Sequence, residues 1–137
     1  MAKLTVRLDG LKELEAKIQE VRDSLAPEKV EPVLLEGAQI IADRIREKAP
    51  KGPTGRLKEA ATARQLKRLG KGPAPAVAAL DRKIAPHAHL VEYGHKTPSG
   101  GRVPAKPYFR PAVDETERTA ARHVMQKLDE LLDKAVR

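Results

Sequence analysis

Residues 3–25, KLTVRLDGLKELEAKIQEVRDSL, change their hydrophobic period part-way along, and this change decides the fold class. Up to Leu8 the apolar residues alternate with polar ones, which is the period of a half-buried strand. A turn at Asp9-Gly10 follows. From Leu11 the apolar residues recur at steps of three and four, as on one face of an amphipathic helix. The stretch predicts a strand over 4–8 and a helix over 11–25, and therefore an α+β protein.

Two further long helices are predicted from the positions of proline. Proline is tolerated in the first turn of a helix but not in its interior, so a second helix should begin near Pro27 or Pro32. Ala49-Pro50 should end it after Lys48. Pro111 is expected to open the last helix, whose charges suit the helix dipole. We expect a small antiparallel sheet packed against long N-terminal and C-terminal helices, with extended loops, in a single domain over 1–137.

The middle of the chain is rich in proline, glycine and positive charge. Residues 50–112 hold thirteen Lys and Arg against three Asp and Glu, whereas the segments 1–49 (nine against ten) and 113–137 (five against six) are nearly neutral. Turns are predicted at 50–55 and 70–75, a strand over 76–84 and a short helix over 87–93 that Gly94 closes. The stretch 56–69 fits a short helix, a strand or both in succession. The loop over 95–107 lacks apolar anchors, so we expect it to be mobile until a partner orders it.

The composition excludes several classes of protein. There is no cysteine, so disulfides, thiolate zinc sites and cysteine nucleophiles are excluded. No apolar run is long enough to cross a bilayer, and the first residues do not form a secretory signal, so we expect a protein made and kept in a cytoplasm. The two serines, Ser24 and Ser99, lie in no nucleophile motif, and the middle of the chain has too few acids for glycosidase chemistry. We predict no enzyme and no cofactor.

His87, His89, Glu92 and His95 form the one cluster that could hold a transition metal. Steps of three drift around a helix surface, and Gly94 should end the helix before His95. We therefore predict no metal site, and expect these histidines to cap, pack or face a neighbouring subunit. A small hydrolase or toxin would have only this cluster in its favour.

The positive charge also suits a nucleic-acid backbone. The specific signatures are missing, because there is no zinc finger, no helix-turn-helix pattern and no basic stretch interleaved with aromatic residues. The cations equally suit solvated loops or an acidic protein surface.

Three separated segments carry a combined pattern. They are Ala49-Pro50 with Thr54-Gly55-Arg56-Leu57, then HAHLVEYG at 87–94, then PAKPYFRPA at 104–112. In this order and spacing the chain resembles the neck and tail-completion proteins of long-tailed bacteriophages and prophages, the small head-tail joining family. The resemblance extends from Leu4 to the last helix. It departs from the family pattern at His95-Lys96, where a threonine more often follows the glycine, and over 56–79, which is unusually rich in Lys, Arg and Ala.

The resemblance implies an α+β subunit of an oligomeric ring between the head and the tail that lines the genome passage. Such a subunit would be located in the virion and, during assembly, in the host cytoplasm. The implied partners are further copies of the chain, portal or head-completion proteins, and tail terminator or tail tube proteins. Packaged DNA would pass nearby without sequence-specific binding, and no membrane or enzyme activity is implied. The alternative is a basic nucleic-acid-binding protein acting outside a virion, which predicts duplex binding that falls steeply with salt.

Two prolines frame a pair of aromatic residues just before the last helix. Pro107 and Pro111 hold the backbone around Tyr108, Phe109 and Arg110, so a rigid aromatic pair precedes the last helix. Aromatic residues beside arginine are typical of interface hot spots. We favour a core position for Phe109 and an interface position for Arg110.

A short helix over 87–93 should press Leu90 and Tyr93 inward and leave Glu92 and the histidines outside. Glu92 is the only acid between Asp81 and Asp114, so it should pair with Arg56 or Arg110 or stay exposed. The predicted subunit or partner interface consists of Arg56, His89, Glu92, Tyr93, His95, Lys106, Tyr108 and Arg110.

Overall fold

The computed structural model describes residues 10–51 and 55–136, so the predicted strand over 4–8 lies outside the described residues. The described part is α+β, as the sequence predicts. Its elements, in chain order, are α1 (Leu11–Ser24), α2 (Pro27–Lys48), α3 (Arg56–Ala60), β1 (Ala61–Gln65), β2 (Ala76–Leu80), α4 (Ala88–Tyr93), β3 (His95–Lys96), β4 (Arg102–Val103) and α5 (Phe109–Val136).

The helices α2 and α5 form an antiparallel pair that organises the fold. Arg44 near the end of α2 pairs with Glu115 near the start of α5, and Glu36, two turns earlier, meets His123, two turns later. Between these contacts the helices approach closely, since a Cβ on Gly37 would lie 2.6 Å from a methyl of Val124. Because Gly37 has no side chain, α2 and α5 can pack at this short separation.

The prolines of α2 lie at its first residue and in its second turn. Pro27 is the first helical residue, as one of the two sequence alternatives predicts, and Pro32 lies inside the helix. Pro32 has no N–H to donate to the carbonyl of Glu28, so the helix lacks one hydrogen bond in its second turn. The helix ends at Lys48 as predicted, because Ala49 before Pro50 is extended (ψ 131°).

The stretch 56–69 contains both a short helix and a strand, which was one of the predicted alternatives. Helix α3 is followed directly by β1. β1 pairs with β2 in antiparallel register from Ala61 opposite Leu80 to Gln65 opposite Ala76. One face of this pair packs on the core through Ala61, Ala78 and Leu80. The prediction that the second strand reaches Ile84 is wrong. Asp81 forms a turn there, because its carboxylate accepts the N–H of Lys83 at 2.8 Å and its carbonyl accepts that of Ile84.

Residues 95–103 form a hairpin within the segment over 95–107, which the sequence predicted as a loop without apolar anchors. β3 and β4 pair across a turn in which the N–H of Thr97 donates to the carbonyl of Gly101 at 2.8 Å. Further along, the N–H of Lys106 donates to the carbonyl of Val91 at 2.9 Å. The anchors are backbone hydrogen bonds and not apolar side chains, so hydrophobic patterning does not reveal them.

The core beneath these elements is built mainly of alanine. Ile45 and Tyr108 are its largest fully buried side chains. They pack with Ala49, Leu57, Ala60, Ala61, Ala85, Ala88 and Ala112, so α2, α3, the sheet, α4 and α5 all meet in one cluster. Small side chains let these five elements pack at short range.

Candidate functional site

The start of α5 is held by a carboxylate from another helix. Glu92 of α4 accepts the backbone N–H groups of Tyr108 at 2.8 Å, Phe109 at 3.0 Å and Arg110 at 3.1 Å. These are the N–H groups that have no partner within a helix. The predicted start of the last helix at Pro111 is therefore two residues late, because Glu92 allows α5 to begin at Phe109.

Glu92 is charged although it is only 5% exposed. Burial by itself raises the pKa of Glu92, but the N–H groups of Phe109, Tyr108 and Arg110 and the Arg110 side chain together hold that pKa below its ordinary value. The helix dipole of α5 acts in the same direction. The negative charge of Glu92 therefore stabilises the start of α5.

Two of the predicted side-chain positions on α4 are wrong, whereas Leu90 is partly buried and His87 and His89 are exposed, as predicted. Glu92 is buried and Tyr93 is 60% exposed, whereas the sequence predicts Tyr93 inside and Glu92 outside. The reason is that a buried carboxylate is tolerated when three N–H groups meet it, which spacing along α4 cannot reveal. Of the two predicted partners of Glu92, Arg110 is the one in contact, with Nε 3.5 Å from the carboxylate and the guanidinium 5.0 Å from the centre of the Tyr93 ring.

Tyr108 lies in the core of its own chain and is 1% exposed, which corrects its assignment to a partner-facing surface. Its hydroxyl is buried and has no hydrogen-bond partner among the described residues. Burial, followed by the charge of Glu92, raises the pKa of Tyr108 to about 12. Phe109 beside it is partly buried against the same core, in line with its predicted place.

A concave surface opens between β2 and α4, and we call it the β2–α4 groove. It has a volume of about 610 Å³, within the usual range of protein binding pockets. Its lining is mostly apolar, with Arg82, His89 and Tyr93 as the larger polar members. The lining residues are Ala78, Ala79, Leu80, Arg82, Ala85, Pro86, Ala88, His89, Glu92, Tyr93 and Phe109.

A second, smaller cavity of about 330 Å³ lies on another side of α4. Its polar lining consists of Lys51, His87, His95 and Lys106, and the Nδ1 atom of His95 is buried without a partner among the described residues. The histidines are thus divided between two cavities, since His89 lines the β2–α4 groove. Over 10–51 and 55–136, no three histidine or acidic residues come close enough to hold a metal.

The predicted interface residues fall into four groups. Tyr93 and Arg110 are exposed next to the groove, with His89 in its lining. His95 and Lys106 line the second cavity. Glu92 and Tyr108 are buried, and Glu92 also lines the groove. Arg56 begins α3 and lines neither cavity. Sequence reasoning missed Arg82 and the alanines of β2, because an alanine-rich strand carries no signal for a groove.

One of three comparisons with known proteins finds a match. A family model described as "Bacteriophage HK97-gp10, putative tail-component" matches residues 12–94, which is more than half of the chain. The chain belongs to this HK97-gp10-like family. The match covers α1 through Gly94 and includes Glu92, and it confirms the resemblance to a phage neck and tail-completion family. No curated protein and no solved structure matches the chain.

Among the described helices of this HK97-gp10-like chain, none combines the length and the apolar character that a bilayer crossing requires.

Proposed function

We propose that the chain is a structural subunit of the neck of a long-tailed phage particle. Copies of it form an oligomeric ring that joins the DNA-filled head to the tail, and the ring acts without catalysis. Membership of a family of phage tail components carries this proposal. The partners are further copies, portal or head-completion proteins on one side and tail terminator or tail tube proteins on the other.

The surface around the start of α5 supports an assembly role. Glu92 ties α4 to α5, so Tyr93 and Arg110 are presented from a rigid base. Exposed tyrosine and arginine held in this way are typical anchors of protein interfaces. We assign contacts with neighbouring subunits or virion proteins to Arg56, His89, Tyr93, His95, Lys106 and Arg110, while Glu92 and Tyr108 shape this surface from beneath.

The loop between β1 and β2, residues 66–75, supports a position beside passing DNA. Glu31 of α2 binds both the guanidinium of Arg68 and, at 2.9 Å, the N–H of Ala74, so both arms of the loop are tied to the helix. Lys67 and Lys71 are exposed on the loop and have no ion-pair partner among the described residues. Such cations attract phosphate without reading sequence.

The proposal is tested by electron microscopy of phage particles made with and without the chain. We expect particles that lack it to separate into full heads and free tails, and the chain supplied in trans to restore joined particles. Tails that stay firmly attached to full heads in its absence would refute the neck role.

A nucleic-acid-binding protein acting outside a virion is the second candidate, and the unpaired lysines of the same loop are the observation in its favour. It requires tight duplex binding by the isolated chain, whereas a neck subunit needs none. The salt dependence and strength of duplex binding separate the two candidates.

A further inference from the structure

Helix α1 has an apolar stripe that the described part of the molecule does not bury. Leu11, Leu14 and Ile18 are 48%, 55% and 45% exposed, and α1 contains no buried residue. A helix of this length is marginal in water unless an amphipathic face is packed. We therefore expect another apolar surface to pack against this stripe of α1.

The β2–α4 groove is an apolar surface at the other end of the molecule. Lys17 of α1 donates to the carbonyl of Ala135 near the end of α5, whereas Phe109 at the start of α5 lines the groove. At 1.5 Å per residue these two points of α5 are about 39 Å apart. The α1 helix of a chain cannot enter the groove of the same chain, so an α1 helix in the groove must come from another copy.

We propose that α1 of one copy packs into the β2–α4 groove of the next copy. This inference rests on the proposed neck function and names the contact that builds its ring. Two different surfaces at opposite ends make a heterologous contact, which repeats around a ring when the rotation closes. Each copy would then bury one stripe and fill one groove.

The charges of the two surfaces favour this pairing over other occupants. α1 carries four acidic and three basic residues, and Glu13 and Glu15 have no ion-pair partner among the described residues. The rim of the groove carries Arg82 and the exposed Arg110, and its one carboxylate, Glu92, is already occupied by N–H groups. The 66–75 loop also exposes apolar side chains, Leu66 and Leu69, but it is cationic and would be repelled by this rim.

The absence of cysteine from the chain makes a clean cross-linking test. In the full-length protein, Leu14→Cys marks the stripe and Ala79→Cys marks the groove, and the double variant is oxidised at high protein concentration. We expect a ladder of disulfide-linked oligomers from the double variant. Each single variant alone should stay uncross-linked, because a heterologous contact never brings the same site of two copies together.

The matched control combines Ala79→Cys with Ala16→Cys, which lies on the opposite face of α1 and should give no ladder. Three results would overturn the inference: a disulfide within one chain, dimers from a single variant, or no ladder from the Leu14→Cys and Ala79→Cys pair. If that ladder is absent while particles lacking the chain still lose their tails, the groove is not the ring contact and the neck function stands.

A second measurement does not depend on disulfides. Leu14→Asp with Ile18→Asp should weaken self-association in sedimentation experiments by at least about tenfold, while Ala16→Asp leaves it unchanged. Unchanged circular dichroism in both variants shows that the chain still folds. Equal self-association of the two variants would contradict the proposed contact.

Discussion

The carboxylate of Glu92 connects α4 to the start of α5 by hydrogen bonds. The carboxylate is buried, and it accepts three N–H groups at the start of α5 while its own side chain belongs to α4. Removing one partner of a buried hydrogen-bond set leaves the other groups unsatisfied, which costs more than the bond itself contributes. Much of the order around the groove should therefore depend on this one residue.

Glu92→Gln should lower the free energy of unfolding by about 1–3 kcal/mol, because its amide NH₂ would face N–H donors. Urea unfolding measures this change. Glu59→Gln is the control, since Glu59 is exposed and makes no side-chain bond among the described residues, and it should change stability by less than about 0.5 kcal/mol. Equal effects of the two substitutions would contradict the role of Glu92.

The same carboxylate predicts a dependence on acid pH. Because the pKa of Glu92 is lower in the folded protein than its ordinary value of 4.5, its stabilising contribution is complete above that value. The contribution is lost as the pH falls through the folded-state pKa. The stabilities of the natural chain and Glu92→Gln should therefore converge in acid, and a constant difference down to low pH would disprove this assignment.

Tyr108→Phe should leave stability unchanged or raise it by up to about 1 kcal/mol, because the hydroxyl lies buried without a partner among the described residues. Tyr108→Ala removes the largest side chain of the core and should cost about 3–5 kcal/mol. Thermal and urea unfolding of both variants measure these changes. A loss in Tyr108→Phe that approaches the loss in Tyr108→Ala would mean that the hydroxyl is bonded.

At the scale of elements, the β3–β4 hairpin depends on one glycine. Gly94 has a φ of +72°, and a Cβ there would lie 2.7 Å from the carbonyl oxygen of Val103 and 2.8 Å from the nitrogen of Ala105. Both atoms belong to the backbone, so they cannot rotate away. The hairpin can approach the end of α4 only because this position has no side chain.

Gly94→Ala should therefore cost clearly more than the about 1–2 kcal/mol of a positive φ alone. Gly100→Ala is the matched control, since Gly100 has a φ of +89° in the same hairpin but no atom within 4 Å of its Cβ position. Urea unfolding compares the two variants. Equal losses of stability in the two variants would show that the close backbone contacts at Gly94 add nothing to the cost of the substitution.

The elements that periodicity and proline define were predictable from the sequence. The helix over 11–25, the end of α2 at Lys48 and the closure of α4 by Gly94 follow from local rules, and the structure has all three. The first residue of α5 and the burial of Glu92 on α4 were not predictable. Both depend on Glu92 meeting N–H groups 16 to 18 residues further along the chain, which is a tertiary contact.

At the scale of the whole molecule, the positive charge is unevenly distributed along the chain. The chain has a net charge of +8, and the segments 1–49 and 113–137 are nearly neutral, so the excess lies in the segment 50–112 that joins the long helices. The family and the exposed position of Arg110 follow from sequence motifs. The groove does not, because it forms where an alanine-rich strand meets α4, and no residue type marks that meeting.

The isolated chain should bind duplex DNA with a dissociation constant no tighter than about 10⁻⁶ M at physiological salt, as is typical of non-specific contacts. Lys67→Glu with Lys71→Glu should weaken this binding further and flatten its salt dependence. Fluorescence anisotropy over a salt series measures both quantities. Much tighter binding would favour the nucleic-acid-binding candidate over the neck subunit.

A cryo-electron microscopy reconstruction of the neck in intact, DNA-filled particles tests the central claim most directly. The account predicts a ring of density at the joint between head and tail into which copies of this chain fit, with the antiparallel α2 and α5 helices resolved in every subunit. A joint fully occupied by other proteins, with this chain elsewhere in the particle or missing from it, would contradict the account.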